Sequence, residues 1–149
     1  MEAKRILLVE DSDFDAELTL GALAAAKVGG GVLRVPDGAE ALDYLFRRAA
    51  FATREDGQPL VVLLDLKMPK VDGIEVLRQV KADPELRTIP IVVMTSSNED
   101  RDILESYRLG ANAYVVKPVS CERLDDVVKQ IGLFWLLVNE PPLGSVRRS

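Results

Sequence analysis

Charged and hydroxyl side chains stand where four short apolar runs end. Glu10-Asp11 follows Ile6-Leu7-Leu8-Val9, and Asp65 ends Leu60-Val61-Val62-Leu63-Leu64. Thr95-Ser96 follows Ile91-Val92-Val93-Met94, and Lys117 follows Ala113-Tyr114-Val115-Val116. Three carboxylates crowded together repel, and one takes up a proton unless a cation lies between them. Mg²⁺ suits such a site, because it prefers hard oxygen ligands and keeps several waters. Its open positions also suit the oxygens of a phosphoryl group. An aspartate can act as nucleophile and form an acyl phosphate. That transfer needs positioning and charge neutralisation more than covalent help. The Thr95 hydroxyl could donate to one phosphoryl oxygen and Lys117 could pair with another. Each residue has an ordinary reading by itself: a turn former, a helix cap, a solvated lysine. The conjunction carries the argument.

Composition narrows the chemistry. The 149 residues fit one domain with a full core, and 48% hydrophobic with 29% charged residues is ordinary for a globular protein. No apolar run approaches the length of a bilayer span, and Met1-Glu2-Ala3-Lys4 leads straight into a strand, with no secretory signal. The single cysteine, Cys121, excludes an internal disulfide and suits a reducing, cytoplasmic setting. Net charge is −5 with scattered basic residues, which argues against a nucleic-acid footprint. Histidine is absent, so Ser-His-Asp and Cys-His catalysis, histidine-bound metals and self-phosphorylation on histidine are excluded. A phosphoryl donor must then come from outside.

The elements that would position these groups alternate strand and helix five times, a pattern of parallel α/β sheets. Leu60–Leu64 reads as a central strand buried on both faces. Helix one shows Ala16, Leu20, Leu23 and Ala24 at helical spacing and stops at Gly29-Gly30-Gly31. Helix two follows Asp37 and carries Leu42, Leu45, Phe46 and Ala49 on one face. Residues 53–59 read as an exposed charged loop. Helix three carries Ile74, Leu77 and Val80; Asn98 should cap helix four, with Ile103, Leu104 and Tyr107. Ser120 should cap helix five, whose core face is Leu124, Val127, Val128 and Ile131. Right-handed crossovers bring all five strand ends to one edge.

Those motifs resemble the receiver domain of two-component response regulators, over roughly residues 4–131. The resemblance implies a flavodoxin-like (βα)5 three-layer sandwich with strand order 2-1-3-4-5 and its site at the switch point between strands one and three. It implies that Asp65, in Leu63-Leu64-Asp65-Leu66-Lys67-Met68-Pro69, is the phosphoacceptor. Asp11, Asp65 and the Lys67 carbonyl would bind Mg²⁺, with Glu10 acting through water. Thr95 matches the switch hydroxyl, Tyr114 the switch aromatic, and Lys117-Pro118 the family lysine followed by a cis peptide bond at Pro118. The donor would be a sensor histidine kinase. Asp11-Ser12-Asp13-Phe14-Asp15-Ala16-Glu17, Tyr44-Leu45-Phe46-Arg47-Arg48 and Phe134-Trp135 resemble single-domain regulators paired with phytochrome-type, red-light-sensing kinases.

The expected organisation is a receiver over 1–138 and a tail over 139–149 with no effector domain, so output must leave through a surface. The face of helix four, strand five and helix five is the expected route. Leu133-Phe134-Trp135-Leu136-Leu137-Val138 is apolar all round, more than one core-facing stripe needs. It suggests a homodimer that uses Tyr107, Phe134, Trp135 and Leu137. Open alternatives are a degenerate receiver that only binds protein, a phosphorelay intermediate or phosphate sink, and a phosphatase-like enzyme. The last lacks a general acid two residues past Asp65, where Lys67 stands. A flavin binder is weaker, since no loop offers a phosphate cradle.

Overall fold

In the computed structural model, which describes residues 3–27 and 30–146, every residue from Leu60 to Leu64 is buried. That apolar run forms β3 (Val61–Leu64), flanked by β1 (Ile6–Val9) and β4 (Ile91–Thr95). The edges are β2 (Val32–Val35) and β5 (Ala113–Val116). All four ladders are parallel, in the order β2-β1-β3-β4-β5. This is the flavodoxin-like order that the resemblance implies. Between the strands run α1 (Asp13–Ala25), α2 (Gly38–Phe46), α3 (Gly73–Ala82), α4 (Asp100–Leu109) and, last, α5 (Cys121–Leu133).

Side chains alternate across a strand, so the sheet has two cores. Leu7, Val9, Val62, Leu64, Ile91 and Val93 pack with Leu42, Leu45, Val76, Leu77 and Val80 of α2 and α3. Their neighbours Ile6, Leu8, Val61, Leu63, Val92 and Met94 face Ala16 and Leu23 of α1 and Leu124, Val128 and Ile131 of α5. The layers hold strands whose near-continuous apolar character requires cover on both sides.

Local signals set most helix starts. Side chains of Ser12, Asp37, Asp72 and Ser120 accept the N–H three residues on, at 2.9–3.2 Å. The start of α4 differs from expectation. Asn98 is not its cap; Glu99 occupies that position without a side-chain capping bond. The Ser97 hydroxyl serves instead, accepting from Glu99 N at 3.3 Å and donating to Asp102 at 2.6 Å. At the other end of α1, the helix stops at Ala25, before the glycine run, and Lys27 turns left-handed. Gly29 lies outside the described residues. Gly31 has φ +77, and a Cβ there would meet the Ala3 carbonyl oxygen at 2.0 Å, so glycine is required where this loop crosses the start of β1.

Three packing expectations are corrected. Ala24 is exposed, because α1 turns it away from the sheet. Ala49 is exposed in a short 3₁₀ turn, because Arg47 turns left-handed and ends α2 first. Residues 53–59 are not a free loop. The side chain of Arg54 is 7% exposed and donates to Tyr44 O, Asp56 O, Asp56 Oδ1, Gly57 O and Gln58 Oε1 at 2.6–3.2 Å. Arg47 adds bonds to the carbonyls of Arg54 and Asp56, both at 2.8 Å.

Past α5 the chain makes a π turn (Phe134–Val138) and folds back. Gln58 N donates to Gly144 O at 2.9 Å and Val146 N to Gln58 O at 2.8 Å. Leu136 and Val146 complete the α1/α5 core, while Phe134, Leu137 and Val138 remain exposed. No helix among the described residues is long and apolar enough to cross a membrane.

Candidate functional site

Register assembles the edge. Val9 pairs with Leu64 and Thr95 with Val116, so the next residues, Glu10, Asp65 and Lys117, emerge at the same end of the sheet. Lys117 Nζ donates to Glu10 Oε1 at 2.5 Å, Asp15 Oδ2 at 2.9 Å and Asp65 Oδ2 at 3.3 Å. One ammonium therefore joins β1, α1, β3 and β5. Its backbone N–H donates to Thr95 O at 2.7 Å, which ties β4 to the same corner.

The carboxylates differ in setting. Glu10 is buried, and its second oxygen accepts Ser12 N at 3.2 Å. Asp65 is partly buried, and Asp11 is exposed. An oxygen from each of Glu10, Asp11 and Asp65 lies within 4.8 Å of the others. At an effective dielectric near 20, a pair of unit charges that close repels by about 3 kcal/mol. Lys117 offsets part of this. Burial pushes the Glu10 carboxyl up to about 7, against the lowering effect of Lys117. Burial also disfavours the Lys117 ammonium, but the bonds to Glu10 and Asp15 outweigh it and its pKa rises. The ammonium thus persists, and the edge holds more negative charge than one lysine can balance. An all-oxygen donor set that is short of positive charge fits a hard divalent cation.

The phosphoacceptor candidate is held by close packing. Lys67 N donates to Asp65 Oδ1 at 3.4 Å. A Cβ at Gly73 would lie 2.2 Å from the Asp65 carbonyl oxygen, so only glycine lets α3 start this near the end of β3. Thr95 is buried at the end of β4, and its Oγ1 accepts Ser97 N at 3.5 Å. The Tyr114 hydroxyl donates to Ser97 O at 3.0 Å. The two residues expected to act as switch partners therefore grip one residue, Ser97, by its two backbone groups. Partial burial raises the Tyr114 phenol pKa.

One expectation at this edge is corrected. No cis peptide bond occurs among the described residues, so Lys117–Pro118 is trans. A tertiary amide favours trans by only about 0.5–1 kcal/mol, and Pro118 adopts the commoner isomer. Sequence reasoning also gave Asp15 no role. Its signal was the Ser12 cap, which starts α1 and sets the side chain three residues later over the strand ends.

Of the residues expected at a dimer interface, Tyr107, Phe134 and Leu137 are exposed, while Trp135 is partly buried against the α1/α5 core. Leu104 and Val116 add exposed apolar surface on α4 and β5.

A model of the response regulator receiver domain matches residues 6–129. Among curated proteins, the chain is 42% identical over 140 residues to the probable methanogenesis regulatory protein FilR2 of Methanothrix harundinacea, covering 92% of this chain and 86% of that one. It is 37% identical over 133 residues to response regulator Rcp1 of Synechocystis, covering 89% of each. The Mn²⁺-bound form of Rcp1 superposes with a TM-score of 0.86 at 36% identity, over 92% of this chain and 97% of that one. The phosphorylated cyanobacterial phytochrome response regulator RcpA gives 0.87 at 41% identity, over 94% and 99%. The bacteriophytochrome response regulator RtBRR gives 0.75 at 54% identity, over 96% and 86%.

Proposed function

Because the chain belongs to the response regulator receiver family, we propose that it accepts a phosphoryl group on Asp65 from the phosphohistidine of a partner sensor histidine kinase, in a Mg²⁺-dependent reaction. The observation that carries this reading is the position of Lys117, within 3.3 Å of Asp65 and bonded to two further carboxylates. An Asp65 carboxylate oxygen attacks phosphorus, the phosphorus–nitrogen bond to the donor histidine breaks, and an aspartyl phosphate forms. Glu10, Asp11, Asp65 and the Lys67 carbonyl would hold Mg²⁺, which neutralises charge on the phosphoryl oxygens when bound. Lys117 is then free to leave Asp15 for a phosphoryl oxygen, and the Thr95 hydroxyl donates to another.

The switch follows from the Ser97 contacts. A Thr95 hydroxyl drawn to the phosphoryl group gives up Ser97 N, and Tyr114 loses the geometry that holds Ser97 O. That change remodels the β4–α4 loop and, with it, the face of α4, β5 and α5. Exposed Leu104, Tyr107, Phe134 and Leu137 support a homodimer on that side, with Trp135 at its margin. Likeness to RcpA and RtBRR supports a phytochrome-type kinase as donor, and a histidine kinase donor implies a cytoplasmic setting. Residues 1–138 act as the receiver, with 139–149 as a tail whose described part, to Val146, docks on it.

The test is phosphorylation by acetyl phosphate, with Mg²⁺ and with chelator, on the wild type and Asp65→Asn, read by intact mass and gel filtration. The expected result is a Mg²⁺-dependent phosphoryl adduct absent from Asp65→Asn, with earlier elution of the phosphorylated wild type. No adduct under any condition would favour a module that only binds protein.

A further inference from the structure

Arg34 stands where an edge strand turns a charge toward a core. Leu33 and Val35 face the α2/α3 side, so alternation sets Val32 and Arg34 on the α1 side of β2. The register pairs Arg34 with Leu8, two residues before Glu10. Its guanidinium reaches along the sheet to the acidic turn. Nε donates to the Glu10 carbonyl at 2.9 Å, and Nη1 donates to Asp13 Oδ1 at 2.8 Å. Nη2 is buried and has no hydrogen-bond partner among the described residues. Burying a donor unpaired is unfavourable, so the placement is set by the other two bonds. Those bonds bracket Asp11-Ser12, one at the Glu10 backbone and one at the Asp13 side chain, on either side of an exposed carboxylate.

We propose that Arg34 is a positioning residue for the divalent-cation site. It holds the Glu10–Asp13 turn in the form that presents Glu10 and Asp11 beside Asp65. This inference rests on the functional reading above. Groups that orient ligands without touching a metal commonly change its affinity 10–100-fold. Charge alone would act the other way. A guanidinium near the site repels a cation, so removing it would tighten binding if geometry did not matter. Lysine separates the two effects, since it keeps the charge and loses the planar two-point fork.

Mn²⁺ affinity is measured from the electron paramagnetic resonance signal of the free ion, on wild type, Arg34→Lys, Arg34→Gln and Asp13→Ala. Both Arg34 variants should bind Mn²⁺ about tenfold more weakly, and Asp13→Ala, which releases one anchor, should lose less. With acetyl phosphate, half-maximal rate should require correspondingly more Mg²⁺, while the rate at saturating metal stays within about twofold of wild type. A melt of each metal-free variant reports folding. If the Arg34 variants do not fold, Asp13→Ala alone must show weaker binding with an unchanged saturated rate. Wild-type affinity in Arg34→Lys, or tighter binding in Arg34→Gln, would overturn the inference. So would a lowered rate at saturating metal, which would place Arg34 at the phosphoryl group. No metal binding by the wild type would overturn the functional reading, and this inference with it.

Discussion

Two ionic clusters sit at opposite ends of the same sheet and are built on opposite terms. At the amino end, Arg54 spends its donors on carbonyls of Tyr44, Asp56 and Gly57, on Gln58 and on one carboxylate. Its guanidinium also lies 3.9 Å from the Tyr44 ring centre. The Arg54 donors are satisfied there by groups of the fold itself. At the carboxyl end, Lys117 faces Glu10, Asp15 and Asp65 with Asp11 close by. Repulsion there is only partly offset. A saturated cluster holds a fold together, whereas an under-compensated one is suited to a hard cation.

The sharpest way to break this comparison is to remove each central cation. Lys117→Ala should slow phosphorylation by acetyl phosphate about 10²–10³-fold, as loss of one charged donor at a reacting centre does. Stopped-flow or mass-based rates with Mg²⁺ present would show it; a loss under tenfold would deny Lys117 its role. Arg54→Ala should leave that rate unchanged and cost about 3 kcal/mol of stability, since it strands buried acceptors and a carboxylate. Urea unfolding reads the second effect.

Alkaline pH tests the amino-end cluster more finely. Burial, the leading cause, pushes the Tyr44 phenol up from 10.0 to about 12. A folded pKa above the unfolded one gives stability that is complete below pH 10 and lost as pH rises toward 12. Two units correspond to roughly 2–3 kcal/mol. Tyr44→Phe should remove that part of the decline, and identical alkaline profiles for the two proteins would refute it. Smallest of all, Mg²⁺ at ten times its dissociation constant should stabilise the fold by about 1.4 kcal/mol, reversibly with chelator. Arg54→Ala should keep this gain and Asp65→Asn should lose most of it.

The same contrast explains what could be read from the sequence. Glu10, Asp65, Thr95 and Lys117 each follow an apolar run, so chain-local signals were enough to align them on one edge. Arg54 lies in a stretch with the composition of a solvated loop. Its partners Tyr44 and Gln58 flank it by ten and four residues, and no periodicity links them. Asp15 needed the tertiary fact that the Lys117 side chain reaches from the end of β5 to the start of α1. Ser97 displaced Asn98 as the group at the start of α4 because its hydroxyl meets both Glu99 and Asp102, a geometry that cap preferences do not encode.

The returning C-terminal segment bears on where this domain stops. The family match ends at residue 129, yet Leu136 is fully buried and Val146 nearly so, in the core shared with α1 and α5. Losing a buried leucine's packing costs about 2–5 kcal/mol, a large share of a small domain's 5–15 kcal/mol. A chain cut to the family boundary would keep Glu10, Asp11, Asp65, Thr95 and Lys117 and lose part of the wall behind them. The unit that folds is therefore longer than the unit that family resemblance outlines.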